Sequence, residues 1–154
     1  MKLTDVLLRA GIWFLALTEL AVGAVATLTP RVFYDHVPGV SLLPPYSEHL
    51  MRDVGALNLA LTVVLFVAAV TMERLIVRTA LIAYLVFAIP HLLFHLTHQH
   101  HYTAAAAVTE KIGLVAAVLL PIALLILDLR DNTKETTAPF DSGSPGYPSP
   151  EHEH

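Results

Sequence analysis

The stretch that decides the fold is Val54-Gly55-Ala56-Leu57-Asn58-Leu59-Ala60-Leu61-Thr62-Val63-Val64-Leu65-Phe66-Val67-Ala68-Ala69-Val70-Thr71, eighteen residues without a charged side chain. A helix needs about 20 apolar residues to cross the hydrocarbon core of a bilayer. An apolar run of this length and continuity is a spanning helix, not the short alternating strand of a barrel. Backbone groups in lipid must find partners within their own segment, which a helix provides unaided.

Three further segments of the same kind flank it. The spans run from about Leu8 to Leu28, Leu50 to Met72, Ile76 to Thr97 and Ala104 to Leu127. The expectation is an all-α bundle of four transmembrane helices over residues 1–130, followed by a disordered polar tail over residues 131–154. Composition agrees: 55% of the 154 residues are hydrophobic and 14% charged, with a mean hydropathy of +0.63. Soluble domains carry about 25% charged residues. Net charge is −4, largely from the tail, and no basic stripe offers a nucleic-acid surface. The absence of cysteine excludes disulfides, thiolate metal sites and thiol catalysis.

The first segment has some features of a signal peptide, with Lys2 and Arg9 ahead of an apolar run and a small-x-small pattern at Ala24-Val25-Ala26. Glu19 inside the run and Asp5 in its flank argue for a retained helix. Short flanks rich in Lys and Arg face the cytoplasm. With the N-terminus inside, that side holds Lys2, Arg9, Arg74, Arg78, Arg130 and Lys134, against Arg31, Arg52 and Lys111 outside. The expected setting is the plasma membrane, with both termini cytoplasmic.

The link between the second and third spans is short, so they form an antiparallel hairpin. The outer loop 29–49 is longer. Pro30, Phe33, Tyr34 and Tyr46 in it point to a short interfacial turn or helix over Arg31 to Val37, anchored by aromatic rings at headgroup level. A second outer loop covers His98 to Tyr102. In the tail, Glu151-His152-Glu153-His154 reads as a solvated end, and the Pro, Ser, Gly and acid content predicts disorder.

Ionisable groups inside spans are costly and normally face protein or water. Sorted by depth, Glu19 lies at the midplane. Arg52, Asp53, Asn58, His91, His95, Glu110 and Lys111 all fall in the outer half. Their common depth predicts one shared polar cavity opening outward. Across helices, the expected pairings are Arg52 with Glu110 or Glu19, and Asp53 with a histidine or Lys111. In Pro90-His91-Leu92-Leu93-Phe94-His95-Leu96-Thr97-His98 the histidines recur at i, i+4 and i+7 and share one helix face. His91, His95 and His98 form a candidate ligand set for a metal or haem, which Glu19, Asp53 or Glu110 could complete. The plainer reading is that these histidines bond to Asp53, Glu19 or a backbone carbonyl and hold the bundle together. Pro90 and Pro121 each remove a backbone hydrogen bond and favour kinks.

Two motifs carry a resemblance. Arg52-Asp53-Val54-Gly55-Ala56-Leu57-Asn58-Leu59-Ala60-Leu61 and Pro90-His91-Leu92-Leu93-Phe94-His95, with the turn Thr29-Pro30-Arg31-Val32-Phe33-Tyr34, resemble a family of small four-helix membrane proteins common in actinobacteria and broadly DoxX-like. The resemblance covers residues 5–130. It implies a four-helix bundle and no particular activity.

No complete catalytic set stands out, so the chain reads as a binding or accessory protein rather than an enzyme. Three functions follow: an accessory or structural membrane protein with a protein partner or a second copy of itself; a cavity for a small ligand, metal, haem or quinone-linked redox chemistry; and a small transporter. The last rests on Glu19 alone, because nothing ionisable continues into the inner half.

Overall fold

The computed structural model describes residues 2–42, 45–98 and 104–136, and they are helical almost throughout. Helix α1 spans Leu3–Leu28, α2 Pro30–His36, α3 Glu48–Thr71, α4 Arg74–Thr97 and α5 Ala104–Thr136, with a 3-10 turn at Val40–Leu42. Four of these helices are long and apolar enough to cross a membrane, in α5 over Glu110–Asp131.

Local chemistry sets the boundaries. The Asp5 carboxylate accepts from the Lys2 backbone N–H at 3.1 Å and caps α1. Pro30 occupies the first turn of α2, where its missing N–H costs nothing. Ser47 Oγ accepts from the Leu50 N–H and opens α3. Met72 closes α3 in the left-handed region at φ 53, and Glu73 completes the short turn into α4. Helices α1, α3 and α4 start earlier than the apolar runs suggested, taking polar residues into their first turns, while α5 starts at Ala104 as expected.

The four spanning helices form a ring in which α1 packs on α3, α3 on α4, α4 on α5 and α5 back on α1. Neighbours run antiparallel: Trp13 meets Phe66 edge-on at 5.3 Å, and Arg78 reaches Asp128 at 2.6 Å. The tightest approach is between α1 and α3. A Cβ added to Gly23 would lie 2.9 Å from the Gly55 carbonyl oxygen, and one added to Gly55 would lie 2.7 Å from the Thr27 amide nitrogen. Small residues at such crossings replace hydrophobic driving force with close van der Waals packing.

The half nearer the termini is dry. Ile12, Leu65, Val77 and Leu81 are completely excluded from solvent, with Ala16, Ala68 and Ala80 filling between them. The outward faces carry Phe14, Val63, Phe66, Val70, Ile82 and Leu119, a surface that only lipid solvates well. Two polar features close the terminal end. Asp128 is 5% exposed and bonds Arg78, while Asp131 lies 3.6 Å from Lys2 and 3.8 Å from Arg74. These bonds tie α5 down as far as Asp131, and the helix runs on to Thr136, past the expected end at Leu127 and into a segment expected to be unfolded. The remainder of the tail, with its Glu-His-Glu-His end, lies outside the described residues.

At the opposite end, the short helix α2 forms at Pro30–His36, where a turn or helix was expected over Arg31 to Val37. Phe33 packs with Ala26 and Met51. Arg31 bonds Asp35 at 2.8 Å and sits 4.8 Å from the Tyr46 ring centre. The Asp35 hydrogen bond pushes the Arg31 pKa above its ordinary value.

Candidate functional site: a cavity in one half of the bundle

Beyond the dry half the four helices separate and line an open cavity of about 1160 Å³. Its floor is polar and lies at similar depth on three helices: Glu19 from α1, Asn58 from α3 and Tyr84 from α4. Glu19 and Tyr84 come from helices on opposite corners of the ring, and the Tyr84 hydroxyl faces the Glu19 carboxylate across it. Both are almost completely buried, at 5% and 4% exposure. The second carboxylate oxygen of Glu19, Oε2, is buried and has no hydrogen-bond partner. Asn58 donates to its own helix at the Val54 carbonyl, 2.7 Å away, and so spends one donor locally.

The wall on the α4–α5 side carries the histidines. His95 Nδ1 lies 2.7 Å from Glu110 Oε1, with both side chains largely buried. The ring nitrogen is poorly aligned for a hydrogen bond to that oxygen, so the two groups are in contact without a formed bond between these atoms. His91 stands against His95 with ring centres 4.6 Å apart, and stacks on Phe87 on its other side. His98 stacks on Phe94 at 4.3 Å, and its Nδ1 lies 3.0 Å from the Phe94 carbonyl oxygen. The remaining walls are mostly apolar. They include Val22 and Val25 of α1, Met51 and Val54 of α3 and Leu114 of α5, with Phe33, Val37 and Val40 of the α2 region on one flank.

Five of the eight residues expected to share a cavity therefore do so: Glu19, Asn58, His91, His95 and Glu110. Arg52, Asp53 and Lys111 do not line it. Arg52 bonds Glu48 at 2.9 Å on its own helix and donates to the Thr27 carbonyl of α1. Asp53 pairs with His49 at 3.2 Å, both well exposed. Each finds its charged or imidazole partner four residues away on the same helix face. This corrects the cross-helix partners expected for Arg52 and Asp53. Among the described residues no group of three or more His, Asp or Glu is placed to hold a metal ion. His98 in particular is engaged by Phe94 rather than by the other two imidazoles.

Tyr84, central to the floor, was not anticipated from the sequence, although the signal was there. It lies seven residues before His91 and fourteen before His98, on the same heptad stripe. The loop expected between His98 and Tyr102 lies outside the described residues after His98.

Compared with protein-family models, with curated proteins and with solved structures, the chain matches none. The likeness to DoxX-like proteins gains no support from these comparisons, and no residue role is carried over from it.

Proposed function

We propose that this chain is a ligand-binding protein of the plasma membrane, with both termini cytoplasmic and a cavity that opens toward the outer side. The proposed ligand is a small, mainly apolar molecule with a polar group that meets the floor. The supporting observation is the cavity itself, mostly apolar walls ending on Glu19, Tyr84 and Asn58. Ligand sites are typically apolar clefts of roughly 300–1,000 Å³ with a few convergent polar groups. The orientation rests on the six basic residues in the terminal-side flanks against three on the other side.

Native mass spectrometry of protein released from its own membranes in mild detergent tests this reading. A molecule retained in fixed ratio, and lost in both His95→Ala and the cavity-filling Ala117→Phe, is the expected result. Equal amounts in all three proteins would place the molecule elsewhere and remove the reading.

A second reading, proton or electron handling at a bound redox group, draws on the close series His91, His95 and Glu110. Elemental analysis and a visible spectrum of the purified protein, beside His91→Ala/His95→Ala, decide it. Under this reading a metal or haem band is present and disappears in the double variant. An accessory role, with a protein partner or a second copy, predicts instead an assembly that survives purification and shows no bound small molecule.

A further inference from the structure

In the dry half, α1 and α5 touch: the side chain of Leu124 fills the space beside Gly11, where an added Cβ would lie 2.6 Å from Leu124 Cδ2. Stepping seven residues along α1 from Gly11 gives Thr18 and then Val25. Stepping back seven along α5 from Leu124 gives Ala117 and then Glu110. In an antiparallel pair these positions face one another in register. Thr18 should therefore cover Ala117, and Val25 should cover Glu110.

They do not. All four line the cavity, and Thr18 and Val25 are exposed, Val25 by 41%. Gly113, one turn along α5 from Glu110, is also exposed, and a Cβ built on it would meet nothing within 4 Å. The seam that is packed at Leu124 is thus open at Ala117. Between the two lies Pro121, which has no N–H to bond the Ala117 carbonyl, so the helix is free to bend there. This opening points sideways between two spanning helices, where the surroundings are acyl chains rather than water.

We infer that the cavity takes its ligand from the lipid through this gap between α1 and α5, and that the ligand is a long-chain amphiphile with an uncharged hydroxyl head. The inference rests on the ligand-binding reading above and adds the route and the chemical class. Among the described residues no Lys or Arg lines the cavity, so an anionic head would be buried without a cationic partner. The Glu19 Oε2 atom, buried without a partner, is suited to a hydroxyl, which can donate or accept. An ammonium head would lose far more hydration on reaching the same depth. The apolar walls suit a single chain.

The test uses phosphatidylcholine vesicles containing the protein and hexadecanol that bears a diazirine midway along its chain. The chain has no cysteine of its own, so the gap can be blocked after folding by coupling a pyrene maleimide to Gly113→Cys. On irradiation the unblocked protein is expected to be labelled inside, at Tyr84 and Ala88. Blocking abolishes that labelling and leaves labelling of the lipid-facing Phe66 and Val70 unchanged.

Interior labelling that survives the block overturns the lateral route while leaving ligand binding intact. The matching diazirine hexadecanoate labelling the interior as well as the alcohol overturns the head-group assignment. A spontaneous disulfide between two Gly113→Cys chains shows that a second copy covers the gap, and also overturns the route. With no interior labelling in the unblocked protein, the alcohol is not the ligand. The mass-spectrometric measurement then decides separately whether the cavity binds anything.

Discussion

Replacing Gly55 by Ala tests whether α1 and α3 approach as closely as described. The new methyl would overlap Thr27 Oγ1 and lie 2.7 Å from the Thr27 amide nitrogen and 3.0 Å from the Gly23 carbonyl oxygen. Two of these are backbone atoms, so relief requires the helices to move apart rather than a side chain to turn. Overpacking of a well-filled site costs about 1–3 kcal/mol. Against this, Ala is the better helix former by roughly 0.5–1 kcal/mol. Gly113→Ala supplies that second term alone, since nothing lies near its Cβ. The difference between the two variants cancels helix propensity and leaves the overlap. At RT of about 0.6 kcal/mol, 1–3 kcal/mol is about a 5- to 150-fold fall in the folding constant of Gly55→Ala relative to Gly113→Ala. Unfolding in mixed micelles with increasing dodecyl sulfate, followed by circular dichroism, measures it. Equal midpoints for the two variants would refute the close crossing at Gly23 and Gly55.

Other expected outcomes follow from the polar contacts. Asp128→Asn leaves Arg78 without its ionised partner. Removing one member of a buried pair costs about 3–5 kcal/mol, and partial exposure of Arg78 puts the loss at or below the low end, read in the same micelle assay. Tyr84→Phe removes the hydroxyl that would bond Glu19 across the bundle and should lower stability by about 1 kcal/mol. An unchanged midpoint would mean the floor is not held together by that bond. For orientation, Ser41→Cys is expected to react with an impermeant maleimide added outside intact cells, and Glu73→Cys only after lysis. The reverse pattern inverts the topology.

The sequence revealed depth better than direction. Run length located the four spans, and sorting ionisable groups by depth placed Glu19, Asn58, His91, His95 and Glu110 at a common level, where they do line one cavity. Direction around each helix was harder to read. Arg52 and Asp53 follow the buried Met51 by one and two residues, about 100° and 200° around the helix, which turns both off the inward stripe of Met51, Gly55 and Asn58. Their partners Glu48 and His49 lie on the same helix, a choice that apolar patterning does not report. Tyr84 was missed for a related reason: in a continuous apolar run a tyrosine reads as one more large side chain. The extension of α5 was hidden because Asp131 looks like the start of a polar tail until Lys2 and Arg74 are brought beside it by the fold.

The polar floor stands on a thin seal. From Tyr84 down α4 to Arg78, the first charged residue below it, is six residues, about 9 Å of helix rise. Ile12, Leu65 and Leu81 fill that layer without access to solvent. Packed hydrocarbon of this kind insulates. Were water to fill the recess above it, the membrane voltage would fall mainly across this layer, at about 2.3 kcal/mol per charge for each 100 mV. A group at Glu19 would then sense the pH and potential of the side on which the recess opens, and remain electrically separate from the other side although only two turns of helix divide them.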